Sequence, residues 1–409
     1  MCATGGIISA RAHKSRLSEE VLLRVQRSCM SVGSVLALVL LGAALPFMAS
    51  AEPMPLELAR RAADWQLAHL TDSSDVASAR HEAAEPQGWS QATFFIGLTA
   101  LADRVGSYGE FVRAHGERAE WRLGPKPFDA DDQAIGQTYL WAARKLNIPA
   151  ASEPLRQQLD RILADPPQND FSYGDPVTGQ KRGACRNRWC WADALFMAPA
   201  LWLELGRMTG DPRYAAYADN EFWEAAAVLY DGDEHLFYRD SRFRSRRDES
   251  GDKIFWSRGN GWVLAGLARI LDRLPADHPH RGRYLGLYRD MAARLLSLQK
   301  PDGFWPASLI GGQALSDPET SGTSLFVFGL GWGIKQGILT DAAYLRAVKR
   351  GWLALSQSVR SDGRLAWVQS SGDAPGPVAA ADTRPYGVGA FLLAAAAVED
   401  LRAAGQWEQ

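Results

Sequence analysis

The chain has 409 residues, of which 46% are hydrophobic and 22% are charged, so it has enough apolar sequence for a large core. Lysine and arginine together number 45, against 47 aspartates and glutamates, and the formal net charge is -2. Nucleic-acid-binding proteins usually concentrate basic residues on one surface. The charge balance therefore argues against that class, and we expect no nucleic-acid partner.

The first 51 residues have the pattern of a bacterial-type signal peptide. Arg24 and Arg27 precede the apolar run VGSVLALVLLGAALPF, and the following MASAEP fits a small-residue cleavage site after Ala51. The run is short for a stable membrane span. We therefore expect a removed signal over residues 1–51 and export of the mature chain to the periplasm or medium. A translation start at Met30 would leave out both arginines.

Six segments of the remaining chain are apolar and poor in charge, which is typical of helices buried on all sides. They are ATFFIGLTAL, AIGQTYLWAARKL, WADALFMAPALWLEL, GWVLAGLARIL, TSLFVFGLGWGIKQG and YGVGAFLLAAAAVEDL. They alternate with about six amphipathic segments, and such self-similarity is typical of a repeated helical unit. We predict that residues 52–409 form one all-α catalytic domain, an (α/α)6 barrel. An open solenoid would need polar capping repeats, and the last helix is too apolar for one.

Three short segments, YDGDEHLFYRDS, QKPDGFWPASL and VRSDGRLAWVQS, share an Asp-Gly or Gly-Asp turn beside aromatic residues. Each predicts a short hairpin or extended loop between an outer helix and the next inner one. In a closed barrel these connections emerge at one end. We therefore expect the functional cleft where the inner helices begin.

Acidic residues are concentrated at these predicted helix starts. FDADDQAIGQ contains Asp131 and Asp132, and capping of a helix N-terminus is an alternative role for both. Asp193 lies among aromatic residues, where desolvation should raise its pKa towards neutral. The helix N-terminus favours the carboxylate, but we expect desolvation to be the larger effect. Pro199, in the same segment, predicts a kink or a new first turn.

Two cysteines of the mature chain, Cys185 and Cys190, lie close together in GACRNRWCW. In an exported protein they can form a disulfide, and two free, partly buried thiols are the alternative. Without a nearby histidine they fall short of the four ligands of a structural zinc site, so we expect no metal.

The blocks RWCWADALFM, FWSRGNGWVLAGLARIL, PETSGTSLFVFGLGWGIKQG and DTRPYGVGAFLLA occur in this order. Over about residues 85–400 the sequence resembles the unsaturated rhamnogalacturonyl hydrolases of glycoside hydrolase family 105, which are related to the unsaturated glucuronyl hydrolases of family 88. The resemblance implies an (α/α)6 barrel and no cofactor. It also implies removal of a 4,5-unsaturated uronic acid from the non-reducing end of pectin-derived, rhamnogalacturonan-type oligosaccharides by hydration of the double bond.

The resemblance also implies roles for individual residues. Asp193 matches the family's proton donor, and Asp131 or Asp132 matches a second catalytic aspartate. The implied substrate-binding residues are Arg258, Trp262, Trp191, Trp89, Thr320 and Ser321. An arginine such as Arg258 can bind a carboxylate through two hydrogen bonds. The alternative is that it pairs with a protein carboxylate or carbonyl.

Departures from the family pattern leave the aglycone, the linkage and the choice between galacturonyl and glucuronyl open. Arg182 and Gly183 stand where some members have His-Lys, and Arg239 stands where others have a histidine. Two other classes are alternatives. A sugar epimerase or another glycosidase on this barrel needs a pair of histidines or glutamates in the cleft. A non-catalytic glycan-binding protein has no reason to bury Asp193.

Overall fold

The computed structural model describes residues 54–70, 86–174, 184–311 and 315–408. The chain divides into two units, residues 1–51 and residues 52–409. The predicted signal peptide lies outside the described residues. Among the residues that are described, no helix has both the length and the apolar character needed to cross a membrane.

The described residues form an inner and an outer ring of α-helices. The inner ring contains α2 (Trp89–Val105), α4 (Ala130–Gln133) followed by α5 (Gly136–Lys145), α7 (Ala194–Met197) followed by α8 (Pro199–Thr209), α10 (Ser257–Arg273), α12 (Thr320–Lys335) and α14 (Pro385–Ala403). The outer ring contains α1 (Pro55–Ala68), α3 (Gly109–Arg118), α6 (Glu153–Ala164), α9 (Pro212–Leu229), α11 (Arg281–Leu298) and α13 (Ala342–Ser358). Helix α14 packs against both α12 and α2, which closes the inner ring. The predicted all-α barrel is confirmed.

The helices of the two rings differ in how much of their surface is buried, as their sequences predict. Helix α12, TSGTSLFVFGLGWGIK, is buried along most of its length. Helix α6 buries only Leu155, Leu159 and Ile162, which lie on one face at spacings of three and four residues. Apolar segments therefore occupy the centre, and amphipathic ones cover them.

Short extended segments connect outer helices to inner ones. Strand β1 (Tyr230–Asp231) pairs antiparallel with β2 (Leu236–Phe237), which confirms the first predicted hairpin. Val359 and Leu365 form a single antiparallel bridge in the third segment. Gly363, within that turn, has a φ of 97°, which a residue with a side chain adopts only under strain.

Two inner helices approach each other through glycine. A Cβ atom placed on Gly97 of α2 would lie 2.2 Å from the carbonyl oxygen of Gly389 in α14. A Cβ atom on Gly389 would lie 2.3 Å from the carbonyl oxygen of Thr93. The backbones of α2 and α14 are therefore in direct contact, and this contact closes the ring.

Substitution of Gly97 by alanine should separate these helices and destabilise the protein by about 1–3 kcal/mol, the usual cost of overpacking. Gly286→Ala is the matched control, because Gly286 also lies within a helix and its Cβ would meet no atom within 4 Å. That change should be neutral or stabilise by about 0.5–1 kcal/mol. Urea unfolding measures both; equal stability of the two variants would contradict the packing assigned to α2 and α14.

Candidate active site

A cavity of about 320 Å³ lies at the end of the barrel where the inner helices begin. Its walls come from the residues that start α2, α4 and α7 and from three connecting segments. The lining residues are Gly88, Trp89, Ser90, Lys126, Asp129, Asp131, Asp132, Arg186, Trp191, Asp193, Arg239, Ser371 and Gly372. The cavity therefore brings together the three aspartates singled out in the sequence and two arginines.

Asp193 immediately precedes α7, and its side chain is only 13% exposed. Its Oδ2 atom is buried and has no hydrogen-bond partner among the described residues. Arg239 is the nearest cation, with its Nε 3.8 Å from that oxygen. Burial raises the pKa of Asp193, while the charges of Arg239 and Arg258 act in the opposite direction. The direction agrees with the prediction from the sequence, and desolvation is its largest cause.

The geometry distinguishes Asp131 from Asp132. Asp131 accepts a hydrogen bond of 2.5 Å from Nη2 of Arg186. Burial and, second, the charge of Asp129 raise the pKa of Asp131 to about 8, and Asp193 adds to the rise. Asp132 instead accepts a hydrogen bond of 2.6 Å from the backbone N–H of Lys126. Asp131 is thus the carboxyl group that interacts with Asp193, whereas Asp132 fixes the loop before α4.

Of the predicted sugar-binding aromatic residues, Trp191 and Trp89 line the cavity. The guanidinium of Arg186 lies 5.0 Å from the centre of the Trp191 ring. Trp89 stacks on Tyr386 with ring centres 4.6 Å apart. Both indoles are therefore held in place by neighbouring side chains.

Arg258 is 1% exposed and does not line this cavity. Its Nη1 donates to the carbonyl of Gln369 at 2.9 Å, and its Nη2 donates to the carbonyl of Ser370 at 3.0 Å. Trp256 and Tyr386 cover its guanidinium. These contacts agree with the alternative role considered from the sequence, in which Arg258 binds protein carbonyl groups. Arg258 thereby fixes the segment that precedes the cavity residues Ser371 and Gly372.

Three further predicted substrate-binding residues lie outside the cavity lining. Trp262 is fully buried and packs against Phe196. Thr320 donates to the carbonyl of Ala366 at 2.9 Å, and Ser321 donates to Glu319 at 2.6 Å. Their positions support the walls of the barrel, and their contact with substrate stays a prediction.

Sequence reasoning did not assign a role to Arg186 or Arg239, which supply positive charge inside the cavity. Arg239 donates to Asp240 at 2.9 Å, and its guanidinium lies 4.9 Å from the centre of the Tyr173 ring. The signal for Arg239 was its departure from a family histidine. The signal for Arg186 was its place between two cysteines, which the structure shows joined as the disulfide Cys185–Cys190.

The sequence matches Glycosyl Hydrolase Family 88 over residues 58–402. The chain belongs to this family. It is 41% identical over 356 residues to a protein of Alteromonas sp. (strain LOR) named unsaturated 3S-rhamnoglycuronyl hydrolase, with 85% of this chain and 86% of that protein covered. A protein of the same name from Formosa agariphila is 34% identical over 349 residues, with 83% and 88% covered.

The fold agrees with solved structures of this family. A glycosyl hydrolase family 88 protein from Bacteroides vulgatus superposes with a TM-score of 0.71 and 26% identity, with 84% of this chain and 97% of that chain covered. The predicted membership of the unsaturated uronyl hydrolases is confirmed. So is the prediction of a glycoside hydrolase that acts on oligosaccharides with an unsaturated uronic acid.

The raised pKa of Asp193 should appear in the stability of the protein. A carboxyl group whose pKa rises on folding stabilises the folded state fully below its unfolded pKa of about 3.9. That contribution is lost as pH rises through the folded pKa. The amide of Asp193→Asn does not titrate. The melting temperature of this variant should therefore rise relative to that of the wild type as pH rises from about 4 to about 8.

Asp317→Asn is the matched control, because Asp317 is an exposed aspartate outside the cavity. Thermal unfolding at both pH values should separate the two variants. A melting temperature of Asp193→Asn that falls relative to the wild type with rising pH would show that the cavity favours the ionised carboxylate.

Proposed function

We propose that the chain removes a terminal 4,5-unsaturated uronic acid from an oligosaccharide by adding water across the sugar's double bond, with Asp193 as proton donor and Asp131 as the group that activates water. The observation that carries this proposal is the shared cavity of two buried carboxyl groups. Among the described residues, one buried oxygen of Asp193 has no hydrogen-bond partner, whereas Asp131 has an arginine partner.

The contacts of the two carboxyl groups support different roles. Two interacting carboxyl groups with raised pKa values hold a proton between them near neutral pH. The ion pair with Arg186 favours the anion at Asp131. Asp193 has no comparable ion pair with a described residue, since Nε of Arg239 lies 3.8 Å from its Oδ2. We therefore assign the transferable proton to Asp193 and the activation of water to the ionised form of Asp131.

The reaction follows from this arrangement. Asp193 gives its proton to C4 of the double bond, and positive charge develops at C5, where the ring oxygen shares it. A water molecule adds at C5 and gives a proton to Asp131. The hemiketal opens as the bond from C5 to the ring oxygen breaks, which leaves a ketone at C5 and a hemiacetal at C1. Loss of the saccharide from C1 completes the hydrolysis with one water consumed.

Arg239 is the side chain that we assign to the carboxylate of the uronic acid. Its Nε makes no hydrogen bond to any described residue, although the guanidinium lines the cavity. A guanidinium binds a carboxylate with two parallel hydrogen bonds. Arg258, the residue suggested by the sequence, already uses both Nη atoms on backbone carbonyl groups.

The relatives support rhamnose as the sugar next to the unsaturated uronic acid. The proteins from Alteromonas and Formosa agariphila both carry the name unsaturated 3S-rhamnoglycuronyl hydrolase. We therefore propose a rhamnose-linked substrate of that kind. A pectin-derived, rhamnogalacturonan-type substrate also contains rhamnose and remains the prediction made from the sequence.

We also propose that the mature protein works outside the cytoplasm. The sequence of the first 51 residues supports this, and so does the disulfide between Cys185 and Cys190, since disulfides persist in oxidising compartments. The N-terminus of the protein recovered from the native host tests the proposal: cleavage after Ala51 is expected.

Asp193→Asn should lower kcat by about 10²–10⁴-fold, the usual contribution of a general acid, because an amide has no proton to give to C4. Asp317→Asn should keep the wild-type rate. Loss of absorbance of the conjugated double bond in an unsaturated glucuronyl-rhamnose disaccharide measures both. Wild-type turnover by Asp193→Asn would exclude Asp193 as donor.

The position of isotopic label should identify the reaction. Ordinary glycoside hydrolysis delivers water to C1 through a cation at the anomeric carbon. Hydration delivers a proton to C4 and water to C5. In deuterated water enriched in ¹⁸O, we expect deuterium at C4 and, at early times, ¹⁸O at C5, by mass spectrometry. Label at C1 with none at C4 would identify an ordinary glycosidase instead.

A further inference from the structure

We propose that the Cys185–Cys190 disulfide is a positioning element of the active site: it closes a short ring of residues that holds Arg186 against Asp131 and so keeps Asp131 able to take a proton from water. This inference rests on the proposed function. The inference goes beyond the proposed function because it assigns the disulfide, which lies outside the cavity, a defined effect on the reaction.

The ring is small and lies directly before the catalytic segment. Cys185 and Cys190 are five positions apart, with Cα atoms separated by 6.0 Å, and both are fully buried. Trp191 follows the ring at once, and Asp193 lies two residues further along the chain. The ring therefore fixes the entry of the chain into α7.

The other members of the ring are anchored away from the cavity. Arg188 forms an ion pair of 2.7 Å with Glu221 of the outer helix α9. Asn187 accepts a hydrogen bond of 2.8 Å from the side chain of Asn169. Trp189 is fully buried. These contacts hold one side of the ring on the outer wall, so that Arg186 extends from the other side into the cavity.

Arg186 contacts two of the three carboxyl groups at the start of α4, those of Asp129 and Asp131. Its Nη2 lies 2.5 Å from Oδ2 of Asp131, and its Nε lies 3.1 Å from Oδ2 of Asp129. Its side chain is nevertheless 38% exposed. An arginine this accessible to water contributes little to an ion pair unless its geometry is fixed. The disulfide and the face of Trp191 supply that restriction.

The charges that act on Asp131 show what a displaced Arg186 would change. Asp129 and Asp193 disfavour the carboxylate at Asp131, while Arg186 and Arg239 favour it. Of the two cations, only Arg186 has a hydrogen bond to Asp131 among the described residues. Without that contact, burial and the charge of Asp129 act with less opposition, and the pKa of Asp131 rises. Fewer molecules then carry an ionised Asp131 on the acidic side of the pH profile.

The experiment is a double-mutant cycle between the disulfide and Arg186, read from the pH dependence of kcat. In Cys185→Ser/Cys190→Ser, the acidic limb should move to higher pH, so that the rate at about pH 6 falls roughly tenfold more than the rate at about pH 9. Arg186→Gln should produce the same displacement with the disulfide intact. In the triple variant the displacement should not increase further, because both changes act through one contact.

Two further variants separate positioning from general damage. Asp317→Asn changes an exposed carboxyl group outside both the ring and the cavity, and its pH profile should match that of the wild type. Arg186→Lys should recover part of the acidic limb, since it restores a cation beside Asp131. An acidic limb that stays in place in the double-serine variant, or displacements that add in the triple variant, would overturn the proposal.

The outcome stays readable if the double-serine variant does not fold. In that case the folded wild type is treated with a phosphine reductant. The fraction of opened disulfide is measured by mass spectrometry after alkylation. The pH profile of the reduced protein then replaces that of the variant. Failure of the proposed function is distinct: the wild type would then leave the double bond of the unsaturated disaccharide intact at every pH. If the wild type is active, Asp193→Asn is inactive and the acidic limb of the double-serine variant stays in place, the proposed function stands and only the role of the disulfide is wrong.

Discussion

Desolvation of two carboxyl groups in one cavity is the constraint on which the site depends. A buried carboxylate is costly unless a cation or hydrogen bond compensates for it. Asp131 receives part of that compensation from Arg186, whereas the cation nearest to Asp193, Arg239, lies 3.8 Å away, and burial raises the pKa of both carboxyl groups. The arginines beside these carboxyl groups must themselves be held in position. Asp240 and Tyr173 hold Arg239, so the geometry of the cavity also depends on the surrounding loops.

The barrel meets this constraint by interrupting the two inner helices that carry the acids. Helix α4 ends at Gln133 before α5 begins, and α7 ends at Met197 before α8 begins at Pro199. Proline lacks the N–H that would continue the helical hydrogen bonds, so the break at Pro199 can be predicted from the sequence. The single turns α4 and α7 can therefore follow the cavity wall, while α5 and α8 follow the packing of the ring.

Periodicity predicted the barrel because a helix that is buried all round has an unmistakable composition. Local sequence also identified Asp193, since its aromatic neighbours imply desolvation. The partners of Arg258 were beyond such reasoning, because Gln369 and Ser370 lie more than a hundred residues away and offer only backbone carbonyls. The choice between Asp131 and Asp132 likewise depended on Arg186, which contacts Asp131 only in the folded chain.

Arg258 shows how a residue outside the cavity can govern what the cavity accepts. Its side chain is 1% exposed, and its guanidinium lies over the rings of Trp256 and Tyr386. Its two hydrogen bonds fix the backbone at Gln369 and Ser370, and the next two residues form part of the cavity wall. The charge also opposes the rise in the pKa of Asp193. One buried guanidinium therefore couples the shape of the wall to the proton on the acid, and a change at Arg258 should alter both binding and catalysis.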